Sequence, residues 1–158
     1  MVDQFIDDLA RPKPVPGGGA AAAHGACVAL ALLEKAYVRF AQARTFGKGK
    51  TEVLMALQQA IECPTGIMEE ASKTLDQVAR AGKRCEGHLL SDLLVVCELL
   101  RAAISGAYRI AQANLSLLEE YPRRRKYQHT LEQLLSSGRE LYESVVSVLV
   151  QRAGLGEY

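Results

Sequence analysis

Residues 14–23 read Pro-Val-Pro-Gly-Gly-Gly-Ala-Ala-Ala-Ala, and the fold is interpreted outward from this stretch. Its two prolines stiffen the chain and favour extended backbone in the residues before them. The three glycines allow a sharp turn and a close approach to the main chain. The alanines that follow are strong helix formers. The pattern therefore predicts a Gly-rich turn that opens a helix from Gly17 to about Thr45, roughly 42 Å long at 1.5 Å per residue.

The glycine turn has two interpretations. A helix start leaves N–H groups without intrahelical partners, and these suit a carboxylate or a phosphate. Alternatively, the turn is structural and precedes a helix whose Gly/Ala face packs closely on a neighbour. On geometry alone the structural interpretation is favoured, because the glycines lack the spacing of a known phosphate loop.

Apolar spacing predicts further helices on both sides of this stretch. Residues 3–10 form a short amphipathic helix. A helix restarts near Thr51 and ends around Gly82, with a break or kink at Pro64 and Gly66.

A third long helix begins at Ser91, a good N-cap residue, or a few residues earlier, and keeps its period to Leu118. Residues 121–126 are predicted to form a charged turn before a last helix that ends at Gly154. No alternating strand pattern of useful length occurs. The sequence therefore predicts one all-α domain over residues 1–158, a bundle of four long helices plus a short N-terminal helix.

Composition restricts the classes of function. The 158 residues carry a formal net charge of +1, and 23% are charged, which argues against nucleic-acid binding and against a membrane-surface protein. The four cysteines and three histidines show no zinc-binding spacing, so no metal is expected. The acidic N-terminus is no secretory signal, and no segment calls for a transmembrane assignment. We expect a cytoplasmic protein with reduced, mostly buried cysteines.

Three places carry candidate functional residues. Asp92 near a helix start either complements the helix dipole or transfers protons, and His88 is the nearby partner for acid–base chemistry. Asn114 lies among apolar residues and either bonds another helix or holds a ligand amide. The basic run Arg123–Lys126 is a solvated turn or a clamp for a polyanionic ligand tail.

Two separated pieces of the chain resemble one family, the formiminotetrahydrofolate cyclodeaminase/methenyltetrahydrofolate cyclohydrolase family. Residues 5–10 and 14–23 are similar to its opening, in which an F-x-x-x-L-A segment leads into P-x-P-G-G-G-S-A-A-A. Residues 91–115 are similar to its S-D … A … G-A … N-x-x-x-N-L helix. The resemblance implies an all-helical, usually dimeric protein that takes a tetrahydrofolate derivative as its substrate.

The resemblance also implies site residues. Those carried over by position are Gly17, Gly18, Gly19 and Asn114 as substrate-binding and Asp92 as catalytic; Ser91, beside Asp92, is also predicted to bind the substrate. The chain departs from the pattern in three places. Ala20 replaces a serine, and Gly87-His88 stands closer to Ser91 than the Gly-Asn that usually precedes Ser-Asp. The stretch from Gly47 to Pro64 is shorter and lacks an acidic E-D-A-type motif.

Three functions follow from these observations. The first is a folate-dependent cyclohydrolase or cyclodeaminase in which Asp92 and His88 move protons. The second is a shortened relative that binds folate without turnover. The third is a helical interaction protein. A homodimer or larger assembly is expected in each case, because one short bundle does not cover the long Gly/Ala/Cys face of residues 17–45.

Overall fold

The structure is a computed structural model, and it describes residues 2–11, 20–21, 50–118 and 121–155. Their helices are α1 (Val2–Leu9), α2 (Lys50–Gly82), α3 (His88–Leu115) and α4 (Tyr121–Ala153). No strand occurs among these residues, so the all-α class is confirmed. The helix predicted over 17–45 lies outside the described residues, except for Ala20 and Ala21, which are helical.

The three long helices pack around a shared core, and each contacts the other two. Buried residues recur every seven positions in each helix, for example Ile61, Met68 and Leu75 in α2, Leu90, Cys97, Ile104 and Ala111 in α3, and Leu131, Gly138 and Val145 in α4. A seven-residue period is the spacing of helices that lie side by side at a small crossing angle. The apolar spacing seen in the sequence therefore sets both the helices and the way they pack.

Helix α2 passes through Pro64 without a break, which corrects the predicted interruption. Proline has no N–H, so the carbonyl of Ala60, four residues earlier, loses its usual partner. Asn114 of α3 replaces that partner, because its Nδ2 donates to the Ala60 carbonyl oxygen at 3.2 Å. The same Nδ2 also donates to the carbonyl of Ile110 at 2.9 Å. Pro64 itself is buried in the bundle, so the ring is packed and the carbonyl behind it is satisfied.

Two short connections give the bundle two distinct ends. Residues 83–87 join α2 to α3, and we call the end with Gly82, His88 and Arg152 the loop end. Lys50, Leu115 and Tyr121 lie at the opposite end, since α3 runs antiparallel to both of its neighbours. A Cβ atom on Gly82 would lie 2.5 Å from Cδ2 of buried Leu149, so α2 and α4 approach closely at the loop end.

The structure decides between two predicted starts for α3 and corrects the predicted start of α4. Helix α3 begins at His88 with Gly87 as its N-cap, so Ser91 is an internal residue and the earlier of the two predicted starts is correct. Residues 121–126 are the first turns of α4 and not a turn between helices. Pro122 fits there because a missing N–H has no intrahelical acceptor in a first turn. Helix α4 ends as predicted, with Gly154 at φ 67° and a Leu155 N–H donating to the Val150 carbonyl at 3.2 Å.

Glycine-to-alanine substitutions test the close approach at the loop end. Gly82→Ala is expected to destabilise the protein by about 1–3 kcal/mol, because Leu149 must move within a packed core. Gly66→Ala is the matched control: a Cβ there meets no described atom within 4 Å. We expect it to stabilise the helix by up to about 1 kcal/mol. Urea unfolding of both variants checks this, and a neutral Gly82→Ala would contradict the packing described.

Candidate functional site

The start of α3 brings together three of the residues predicted to form the site. His88 is the first residue of the helix and is exposed, and Asp92 is half-buried. The two are four positions apart, which places them on the same side of the helix with Cβ atoms about 5–6 Å apart. Ser91 lies beside them, and its hydroxyl donates to the His88 carbonyl at 2.6 Å. A carboxylate and an imidazole thus share one side of a helix start.

The backbone at this start leaves N–H groups available. Gly87, the N-cap, has φ 59° and ψ −134°, a conformation with positive φ that favours glycine. Within the described chain no side chain caps the helix, and its first turn holds no acid. By helix geometry the N–H groups of His88 and Leu89 have no intrahelical acceptor. Such a helix start suits the carboxylate of a ligand.

Arg152 of α4 holds the loop that leads into this start. Its guanidinium donates to the carbonyl of Gly82, the last residue of α2, and to the carbonyl of Cys85 at 3.2 Å. These two contacts join the end of α4 to both sides of the turn at Lys83 and Arg84. Arg152 therefore positions the backbone just before His88, although sequence reasoning did not single it out.

Asn114 does not join this group. It lies 22 residues after Asp92 on the same helix, which is about 33 Å at 1.5 Å per residue. Within one chain, Asp92 and Asn114 cannot both contact the same reacting atoms. Both contacts of the Asn114 Nδ2 are to main-chain carbonyls in this structure, and its role in binding a ligand stays a prediction. The other predicted binding residues, Gly17, Gly18 and Gly19, lie outside the described residues.

The basic segment Arg123–Lys126 lies at the opposite end of the bundle from His88. Open clefts surround it, one of about 510 Å³ lined by Arg124, Arg125, Gln128, His129 and Glu132. A second, of about 240 Å³, reaches between α3 and α4 to Tyr108 and Gln112. The first cleft is lined by all four of Arg124, Arg125, Gln128 and His129, because each arginine is three to five positions from Gln128 and His129 on the helix. Sequence reasoning treated 121–126 as a turn and so missed Gln128 and His129.

Most groups with shifted pKa values lie in the middle of the bundle; Tyr127 is nearer the end that carries Arg123–Lys126, and its hydrogen bond to Glu62 raises the pKa of its hydroxyl. Burial raises the pKa of Cys97 to about 11, so this cysteine is a thiol at neutral pH and a poor nucleophile. The Tyr142 hydroxyl, with help from Arg101, holds the pKa of Glu98 below its usual range. Cys63 is exposed, which corrects the expectation of mostly buried cysteines. Glu98, Arg101 and Tyr142 therefore serve the contact between α3 and α4.

The described part of the chain offers neither a cluster of metal ligands nor a membrane-spanning helix. No three His, Cys, Asp or Glu side chains there come close enough to hold a metal ion. None of the described helices is long and apolar enough to cross a membrane.

Comparison with protein families gives one result. A family model described as formiminotransferase-cyclodeaminase matches residues 1–52 and residues 34–133. Together the two matches span most of the chain, and they overlap over residues 34–52. The chain therefore does not follow the family pattern as one unbroken segment over residues 34–52. These residues adjoin and partly overlap the stretch from Gly47 to Pro64, which is shorter than in the family pattern. No curated protein and no solved structure matched the chain.

Replacing Arg152 tests whether it positions the turn before His88. Arg152→Met keeps most of the side-chain length and removes both hydrogen bonds, so amide hydrogen exchange in residues 83–90 should accelerate. Arg139→Met is the control, since Arg139 is an exposed arginine on the same helix. Equal exchange of residues 83–90 in Arg152→Met and the wild type would contradict the positioning role.

Proposed function

The chain belongs to the formiminotransferase-cyclodeaminase family, and from this premise we propose that it is a folate-dependent enzyme, a methenyltetrahydrofolate cyclohydrolase or a formiminotetrahydrofolate cyclodeaminase. The observation that carries the proposal is the i, i+4 pair of His88 and Asp92 at the uncapped start of α3. The proposed substrate is a tetrahydrofolate derivative, and neither of the two reactions requires a metal ion. We also propose that the protein works as a homodimer or larger assembly.

Both candidate reactions need two proton transfers, one from the atom that attacks the one-carbon group and one to the nitrogen that leaves it. In the cyclohydrolase, water attacks the methenyl carbon and loses a proton, and the ring carbon–nitrogen bond then breaks to leave a 10-formyl product. In the cyclodeaminase, N10 attacks the formimino carbon and loses a proton, and ammonia leaves. One group must accept the first proton, and another must donate a proton to the departing nitrogen.

The structure supports a division of these roles between two side chains. Half-buried Asp92 is the proposed base, because burial limits competition from bulk water. Exposed His88 is the proposed proton donor, since its imidazole lies one helical turn from Asp92 and is open to solvent. The free N–H groups at the start of α3 provide a place for a folate carboxylate or carbonyl oxygen. Ser91 is the neighbouring polar side chain proposed to contact the substrate.

A second candidate function is folate binding without turnover. Ala20 in place of the family serine favours it, as does the shortened stretch at 47–64 without its acidic motif. Titration with 5-formyltetrahydrofolate and 5,10-methenyltetrahydrofolate, with methenyl absorbance followed over time, separates the two functions. Consumption or formation of methenyltetrahydrofolate supports the enzyme, and saturable binding with constant absorbance supports the binding protein. Absence of both binding and turnover would overturn the folate assignment.

The assignment of Asp92 is tested by Asp92→Asn, which keeps the shape of the side chain but cannot accept a proton at neutral pH. Turnover should fall by roughly a hundredfold or more, the usual effect of losing general acid–base catalysis. The matched control is Asp76→Asn, since Asp76 is a half-buried aspartate that pairs with Arg80 on α2. Steady-state kinetics and melting temperatures of both variants are compared with the wild type.

A result in which Asp92→Asn retains wild-type turnover would remove Asp92 from the mechanism. In a protein that binds without turnover, the same substitution is expected to act on folate affinity, while Asp76→Asn leaves the affinity unchanged.

A further inference from the structure

Helix α3 carries the proposed acid–base pair and an apolar stripe on the same side. His88 and Gly106 are 18 positions apart, as are Asp92 and Ile110, and 18 positions make about five helical turns. Each of these two pairs therefore lies on one side of the helix, which we call the outer face. It begins with His88 and Asp92 and continues with Val95, Leu99, Ala102, Gly106, Ile110 and Ala113.

The apolar part of the outer face is exposed. Buried residues of α3 such as Cys97 and Ile104 lie on the opposite side of the helix. The outer-face residues from Leu99 to Ala113 are all exposed, and Leu99 and Ile110 are large side chains with 38% and 56% exposure. A helix that is apolar on both sides is normally packed on both sides. The outer face therefore has the composition of an interface.

The outer face is complementary to a second copy of itself. Ala102 and Gly106 are small residues at its centre, and the larger Leu99 and Ile110 follow on either side. A Cβ at Gly106 would meet no described atom within 4 Å. A two-fold axis between Ala102 and Gly106 makes the two α3 helices antiparallel. Small residues then meet at the centre, where helices approach closely, and Leu99 of each copy packs beside Ile110 of the other.

Charges on one edge of the outer face are complementary in the same arrangement. Glu98 and Arg109 lie on this edge, about three helical turns apart. The same edges of two antiparallel copies meet, so Arg109 of each copy lies beside Glu98 of the other. The Glu98 carboxylate already accepts hydrogen bonds from Arg101 and Tyr142 and has the capacity for one more. This complementarity favours a second copy as the occupant of the outer face.

The antiparallel arrangement also brings Asn114 of one copy to the acid–base pair of the other. Asp92 and Asn114 lie on opposite sides of the two-fold axis at similar distances from it, and both are on the edge away from Glu98. Along the helix axis they come within about one turn of each other across the interface. Both hydrogen bonds of the Asn114 amide use Nδ2, and its Oδ1 accepts none from the described residues. That oxygen suits an N–H of a substrate.

We propose that two copies pack antiparallel through the outer face of α3, and that each site consists of His88 and Asp92 of one copy with Asn114 of the partner subunit. The shared site rests on the proposed folate function, whereas the interface does not. Two residues that are about 33 Å apart in one chain then contact one substrate.

Chemical cross-linking tests the interface without folate. Gly106→Cys places two thiols close together across the two-fold axis, so a short bismaleimide should give a covalent dimer as the main product. Gln112→Cys is the matched control, because Gln112 is exposed and lies about 120° around α3 from Gly106. The wild type is treated in parallel, since Cys63 is exposed. Should Gly106→Cys fail to fold, Ala102→Cys takes its place. A yield of covalent dimer no higher than in Gln112→Cys would overturn the proposal.

Mixing two impaired variants tests the shared site. Asp92→Asn and Asn114→Ala are unfolded and refolded together, so that their copies redistribute. Half of the dimers then contain one copy of each variant, and one of their two sites keeps Asp92 together with the partner's Asn114. Turnover should recover to about a quarter of the wild-type value. No recovery is expected where Asn114 acts only within its own chain, because every site then lacks one of the two residues.

The outcomes separate this proposal from the proposed function. No recovery in the mixture, with a wild type that turns over folate, would overturn the shared site and leave the proposed function in place. A wild type that neither binds nor converts folate would remove both, and cross-linking still decides the interface. In a wild type that binds without turnover, recovered binding capacity is measured in the same mixture.

A second variant keeps the mixing test decisive should Asn114→Ala fail to fold. Pro64→Ala/Asn114→Ala then takes its place, because residue 64 regains the N–H that bonds to the Ala60 carbonyl. Pro64→Ala alone is its control and should keep wild-type turnover. Recovery with the double variant supports the shared site, and its absence overturns it.

Discussion

The hydrogen bond from the Asn114 amide to the Ala60 carbonyl is the interaction on which the arrangement of the bundle depends. Pro64 removes the N–H that would otherwise bond to this part-buried carbonyl, and leaving a carbonyl unsatisfied costs up to about 1–3 kcal/mol when it is fully buried. Because the replacement donor comes from α3, the proline joins two helices where it would normally end one. Helix α2 stays continuous over 33 residues, and the far end of α3 is held at a fixed level beside it.

This constraint at one end of the bundle has a counterpart at the other. Arg152 donates to main-chain carbonyls at the end of α2 and in the following loop, and Gly82 allows Leu149 to pack against the same turn. Helix α3 runs without interruption from the proposed acid–base pair to Asn114. Their separation of about 33 Å is therefore a consequence of helix continuity. Asp92 and Asn114 of one chain therefore cannot both contact the same reacting atoms.

The sequence was sufficient to predict the helices and their class, because apolar residues recur with helical spacing from Ile61 to Leu149. It was not sufficient to predict continuity through Pro64, since the compensating donor, Asn114, lies 54 residues after Ala60 in the chain. The helical start at residues 121–126 was missed because charge and proline are as common in turns as in first helical turns. Of the candidate site, the closeness of His88 and Asp92 followed from their spacing alone. The position of Arg152 required the packing of α4 against the loop.

The most direct test of this account is a double-mutant cycle between Pro64 and Asn114, measured as free energies of unfolding. In the wild-type background, Asn114→Ala should cost about 1–3 kcal/mol, because the Ala60 carbonyl loses its donor. In a Pro64→Ala background residue 64 regains its N–H, so the same substitution should cost at least about 1 kcal/mol less. Equal costs in the two backgrounds, within about 0.5 kcal/mol, would show that Asn114 does not compensate for Pro64 and would contradict the account.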